Sequence, residues 1–325
     1  MHVAVLGATG AVGRTMLEVL AERSFPVDRL TLLASPRSAG TTIRWGGRDH
    51  EVRAPAPGSF RDVDIALFSA GAARSLEWAP RAVDEGAVVI DNSSAWRMDA
   101  AVPLVVPEVN ADAIAVRGKG IIANPNCSTI QVVVPLRPLH DAAGLTRLVL
   151  TTFQSTSGAG EKGVAVLRRE RDGEPGESPF SREIYRNVIP QIGEFEDSGW
   201  SEEERKMIDE PRKILSLPAL RVAPTCIRVP VEVGHAVQMS VETERPLGIG
   251  GAREALRDAP GIVLRGEIGS FDTPREIAGR DEVFVGRLRA DPDFSNVIHL
   301  WVVADNLRKG AATNAVQIAE LLADG

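Results

Sequence analysis

The stretch HVAVLGATGAVG at residues 2–13 constrains the fold more than any other part of the chain. Its opening apolar run is of the kind buried on both faces of a parallel sheet. Gly7, Gly10 and Gly13 follow at intervals of three. AVGRTMLEVLAER then carries Val12, Met16, Leu17 and Leu20 at helical spacing. A strand that turns tightly into a helix behind such glycines brings backbone amides and the helix's positive end up to a phosphate, an approach that bulky side chains would block. The spacing is G-x-x-G-x-x-G, not the strict dinucleotide fingerprint, but its context predicts ligand binding. The loop Gly7, Thr9, Gly10, Ala11, Val12 and Gly13 is the expected pyrophosphate cradle.

The alternation begun there continues. RLTLLAS and DIALFSA are strand candidates, AARSLEWAPRAVDEG is helical, and AVVIDNS is a further strand. Strands alternating with helices predict a parallel sheet covered on both faces, a Rossmann-like α/β domain, over residues 1–124. Past an Asn-Pro-Asn turn the pattern changes. A helix is expected from about Ser128 to Ala142, and GLTRLVLTTFQST reads as a long strand. Residues 171–200 read as a loop-rich excursion or lid. DEVFVGRLRAD and NVIHLWVVADN flank PDFS as an antiparallel pair. An α+β domain is therefore expected over 125–305. An amphipathic helix over 306–325 ends the chain and is expected to pack back on the first domain.

At 325 residues there is chain enough for two cores. The net charge of −7 and the lack of a dense basic block argue against nucleic acid, and the EEERK run at 202–206 is of mixed sign. Two cysteines make no disulfide framework, and no metal site is read. The apolar runs are too short to span a membrane. A soluble cytoplasmic protein is expected.

The strand after the first helix ends LLASPRSAG, without the acidic residue that usually holds a ribose 2′-hydroxyl. Ser35, Arg37 and Ser38 offer hydroxyls and a guanidinium instead, which suits a 2′-phosphate and hence NADP. Cys127, in ANPNCSTIQ, stands where a turn meets a helix. Helix-start amides favour a thiolate and a histidine can complete its activation, so Cys127 is a candidate nucleophile. Asn126 could donate to an oxyanion. Of five histidines, His235 follows Gly234 at a break between extended segments. Arg228, between Ile227 and Val229, needs an anionic partner, and a substrate carboxylate is one candidate. Cys226 reads as packing.

These residues fall in stretches that resemble one family over nearly the whole chain: GATGAVG, SPRSAG, DNSSAWRMD, VPEVN, NPNCSTIQ, TFQSTSGAG, NVIPQI, EPRKIL, TCIRVPVEVGH and VADNLRKGAATNAVQIAE. The chain resembles aspartate-β-semialdehyde dehydrogenases. The resemblance implies NADPH-dependent reduction of L-4-aspartyl phosphate to the semialdehyde with release of phosphate, a step toward lysine, methionine and threonine. It implies a second domain like that of glyceraldehyde-3-phosphate dehydrogenase and a homodimer or tetramer, of which the homodimer is expected. Carried over residue by residue, Cys127 is the thioester-forming nucleophile, His235 the acid/base and Gln154 the group that orients the acyl intermediate. Arg228 holds the α-carboxylate. Glu210 and Lys213 meet the amine and phosphate, Arg97 is a second phosphate ligand, and Gly158 lies at the cofactor. Pro211 in EPRK is compatible with this only if Glu210 is extended or Pro211 opens a helix. The alternatives are another acyl-phosphate or acyl-CoA reductase, and an inactive paralogue kept as a binding protein.

Overall fold

The computed structural model describes residues 1–323, so the last two residues of the expected C-terminal helix lie outside it. The chain divides into two compact units. One comprises Met1–Asn126 and the segment from Ala311 on; the other is Cys127–Gly310.

In the first unit β1 (His2–Leu6) runs into α1 (Ala11–Glu22), followed by β2 (Arg29–Leu33), β3 (Thr42–Trp45), β4 (Arg48–Arg53), β5 (Ile65–Phe68), α2 (Ala72–Asp84), β6 (Val88–Asp91), α3 (Pro107–Asn110) and β7 (Ile121–Ala123). The seven strands lie in the order β3-β4-β2-β1-β5-β6-β7. All pairings are parallel except β3 with β4. Strands β1 and β5 are buried along their whole length, which their unbroken apolar runs anticipate. Met16, Leu17 and Leu20 of α1 join one core cluster with Val3, Val5, Leu32 and Ile65. Each such side chain contributes about 1.5–3 kcal/mol. The C-terminal helix, Thr313–Ala323, adds Ala315, Val316, Ile318 and Ala319 to the same cluster. Its α-helical part starts later than the sequence suggests, because Arg308–Ala312 form a π-helical turn first.

The second unit opens with α4 (Cys127–Ala143) and the ten-residue β8 (Leu145–Gln154). It continues through α5 (Glu161–Arg171), α6 (Glu202–Ile214), β9 (Arg221–Arg228), β10 (His235–Thr243), α7 (Gly248–Arg257), β11 (Ile262–Leu264), α8 (Pro274–Ile277), β12 (Val283–Ala290) and β13 (Val297–Ala304). Its mixed sheet has the order β11-β12-β13-β10-β8-β9. The antiparallel β12–β13 pair is the one expected around PDFS. Residues 172–200 carry no helix or strand.

Pro211 departs from expectation. It neither opens a helix nor follows an extended Glu210, but sits near the end of the 13-residue α6. That helix begins at a capping box, in which Ser201 Oγ accepts from Glu204 N–H and Glu204 reaches back to Ser201 N–H. With the start fixed there, proline removes one late hydrogen bond and the helix runs on for one further turn.

The glycine turn has little room. Gly7 has φ +95°, and a Cβ on it would lie 2.4 Å from Ser69 O; one on Gly13 would lie 2.2 Å from Gly7 O. Gly13→Ala must push the first turn of α1 off β1. It should destabilise the protein by about 1–3 kcal/mol, read as a lower melting temperature.

Candidate active site

The first unit holds a cavity of about 980 Å³ beside the glycine turn, with Thr9, Gly10, Arg14, Ser35, Arg37 and Ser38 in its wall. The β3–β4 hairpin supplies another wall through Thr42–Trp45. Thr9 Oγ donates to Ser38 Oγ at 3.4 Å, and Ser35 Oγ lies 3.5 Å from Ser38 Oγ. The cradle and the hydroxyl-and-guanidinium end of β2 therefore face one cavity, and no acid stands between Leu33 and Thr41. This fits a dinucleotide. In the same unit Arg97 is buried. Its Nε donates to Asn124 O at 3.0 Å and its Nη2 to Asn92 O at 2.7 Å. It thus ties the NPN turn to the DNSS turn. Asn126 is also buried.

In the second unit the ends of neighbouring strands build a polar edge. Gln154 ends β8 and pairs in register with Arg228, which ends the parallel strand β9. His235 begins β10, whose next residue pairs with Phe153. Cys127 is the first residue of α4 and is partly exposed. Gly310 lies against it, where a Cβ would be 3.0 Å from Cys127 Cβ. Gln154 is 1 % exposed. Its Nε2 donates to Ser128 Oγ, next to the thiol, and to Glu203 Oε1 at 2.9 Å. Lys206 donates to the other oxygen of Glu203 at 3.0 Å.

Arg228 donates to Ser155 O at 2.7 Å and its guanidinium stacks 5.8 Å over Phe180. Burial lowers its pKa, while the negative charges of Glu203 and Cys127 act to raise it. Both acids are thus within electrostatic reach of the guanidinium. A pocket of about 320 Å³ opens at Arg228 and is walled by Phe180, Gln191 and Glu194 from the 172–200 excursion.

His235 is 0 % exposed. Ser155 N–H donates to its Nδ1 at 3.1 Å, so in the neutral ring the proton sits on Nε2. Nε2 is buried and has no partner among the described residues. Burial, reinforced by Arg228, pushes the ring's pKa down to about 3. Gly158 lies over both groups: a Cβ there would be 2.6 Å from Arg228 Nη1 and 3.2 Å from His235 Nε2.

The structure thus brings Cys127, Gln154, Arg228, His235 and Gly158 to one edge, together with Glu203 and Lys206, which the sequence reading passes over. Glu210 and Lys213 lie seven residues further along α6, two turns or about 10 Å away. Glu210 is buried, yet the α6 acid whose charge bears on Arg228 and His235 is Glu203. The helix carries Glu-x-x-Lys twice, from Glu203 and from Glu210. The capping box at Ser201 was the available signal, because it fixes the helix start and puts Glu203 and Lys206 in the first two turns. Cys226 is fully buried and burial raises its pKa. Its N–H is held by Glu204 Oε1 at 3.1 Å, consistent with packing.

The comparisons with known proteins place both units in one class. Residues 2–117 match the semialdehyde dehydrogenase NAD binding domain, and residues 136–309 match the semialdehyde dehydrogenase dimerisation domain. The chain is 50 % identical to an aspartate-semialdehyde dehydrogenase of Aquifex aeolicus, over 99 % of this chain and 97 % of the relative. It superposes on the crystal structure of aspartate semialdehyde dehydrogenase II from Vibrio cholerae complexed with ASA with a TM-score of 0.96 and 51 % identity, covering 99 % and 98 % of the two chains. Against an aspartate semialdehyde dehydrogenase with NADP from Candida albicans the TM-score is 0.77 at 26 % identity, over 99 % and 98 %. The chain belongs to the aspartate-semialdehyde dehydrogenase family of oxidoreductases.

Two outcomes test the geometry. Gly158→Ala crowds Arg228 and His235 together and should lower kcat/KM by roughly 100-fold in steady-state assays, as displacements near 1 Å do. His235 makes stability pH-dependent. The unfolded ring takes up a proton near 6.5 and the folded one only near 3. Acidification through that window should therefore cost about 1.4 kcal/mol per pH unit. Thermal melts of His235→Asn should show a shallower loss between pH 6.5 and 4 than the parent chain.

Proposed function

We propose that the protein reduces L-4-aspartyl phosphate to L-aspartate 4-semialdehyde, using NADPH and releasing phosphate, through a thioester on Cys127. This is a step of lysine, methionine and threonine synthesis. The observation that carries the reading is the pair Arg228 and Glu203 beside one sheet edge. A guanidinium and a carboxylate there suit the α-carboxylate and α-ammonium of a free amino acid. An N-acetylated substrate, or an acyl-CoA, brings no free α-ammonium for Glu203 to meet.

Each residue then has a task. The first turn of α4 directs its amides' positive end toward Cys127, which favours the thiolate that attacks the acyl carbon. Asn126 Nδ2 and His235 Nε2–H stabilise the oxygen as it becomes negative. Phosphate leaves toward Lys206, and Arg97 keeps the phosphate role that its AWRMD motif implies. Gln154, held by Ser128 and Glu203, orients the acyl group. Glu203 and Lys206 take the amine and phosphate roles in preference to Glu210 and Lys213, because Glu203 accepts from Gln154 and Lys206 donates to Glu203. NADPH, held along the glycine turn with its adenosine 2′-phosphate at Ser35, Arg37 and Ser38, would supply the hydride. A homodimer formed through the second unit fits the family's dimerisation domain.

The deciding experiment is the reverse assay, with aspartate semialdehyde, phosphate and NADP. Phosphate-dependent formation of NADPH is expected, and its absence would remove the reading. N-acetylglutamate semialdehyde should give no turnover. Cys127→Ser should abolish turnover while NADPH still binds. Arg37→Ala should cut the preference for NADP over NAD by about 10–100-fold, the worth of one charged hydrogen bond.

A further inference from the structure

A buried polar cluster stands behind His235 and has no part in the chemistry above. Asn306, two residues beyond β13, is buried. Gly234 N–H donates to its Oδ1 at 2.9 Å, which fixes the orientation of the amide, since only its oxygen can accept from a backbone donor. The same oxygen lies 3.1 Å from Ser155 Oγ and 3.1 Å from Ser157 Oγ. Asn306 Nδ2 donates back to Ser157 Oγ at 2.9 Å. One amide thus joins the turn after β8 to the residue that precedes His235. Ser155 is the pivot. Its hydroxyl is 3.0 Å from His235 Nδ1, and its N–H donates to that nitrogen.

We propose that Asn306 is a positioning residue for His235: by clamping Ser155 and Ser157 to Gly234 it keeps Ser155 N–H on Nδ1, so that the ring presents its one proton from Nε2. A proton on Nδ1 would meet the Ser155 N–H, a second donor at 3.1 Å, and could be accepted only by Ser155 Oγ at 3.0 Å. The inference rests on the proposed reaction and sharpens it. His235 enters the resting site as a neutral donor to the reacting carbonyl oxygen. Neutral imidazole suits an oxygen that gains charge and loses it again as the carbonyl re-forms, because no proton has to be transferred and recovered. Nε2 is buried without a partner among the described residues, which leaves its N–H available to that oxygen.

The test reads the ring directly. Nitrogen-15 histidine labelling with two-bond NMR correlations distinguishes Nδ1–H from Nε2–H, and the His235 signal is the one lost in His235→Asn. The parent protein should show Nε2–H between about pH 6 and 8, the range over which an unperturbed ring would titrate. Asn306→Ala should give a mixture of tautomers. Its kcat should fall about 10–100-fold, with KM for aspartate semialdehyde changed less than about threefold. Asn306→Asp keeps an oxygen acceptor for Gly234 and both serines, so it should retain the tautomer and recover most of kcat. A proton on Nδ1 in the parent protein overturns the proposal without any variant. So does an unchanged tautomer in folded Asn306→Ala. Lack of turnover by the parent protein would strike the proposed reaction alone, since the tautomer is read without substrate.

Discussion

The pairing register of three adjacent strands is the constraint on which the second unit depends. Gln154 pairs with Arg228, and Ala236 pairs with Phe153. A slip of one residue on either side would turn a polar strand end to the opposite face of the sheet. Register is set by the apolar alternation behind those ends, where Leu148 and Leu150 of β8 and Val237, Met239 and Val241 of β10 are buried. The apolar sheet therefore holds the polar edge in place, and precision at the edge comes from strands and not from loops.

Burial acts on the charged groups of that edge in a consistent direction. It works against the cationic forms of both Arg228 and His235, and Glu203 partly offsets it for each. A guanidinium stays charged under such pressure because its intrinsic pKa is so high, whereas an imidazole yields its proton. One environment thus produces a permanent cation and a neutral donor side by side.

Much of this was legible because it is local. The glycine turn, the strand–helix alternation and a cysteine at a helix start are all written within short windows of sequence, and residues 2–33 and 127–154 fold as those windows suggest. The β3–β4 hairpin went unread because its strands are short, charged and exposed at the sheet edge. Glu203 is one of three consecutive acids in EEERK. Its neighbour Glu204 is used by the cap, and only the helix phase separates the two. Asn306 carries no signal of its own, since its partners are 72 to 151 residues away. Pro211 was misjudged because a cap ten residues earlier decides where the helix lies.

The contrast between the two cysteines extends beyond catalysis. Cys226 is sealed in the sheet with its thiol held protonated, while Cys127 is partly open at a helix start. A soft electrophile therefore meets one reactive sulfur in the native protein and two once the second unit unfolds. The fold thus carries its own stoichiometric reporter of integrity, and a covalent inhibitor aimed at the thiol has no internal competitor while the sheet stays closed.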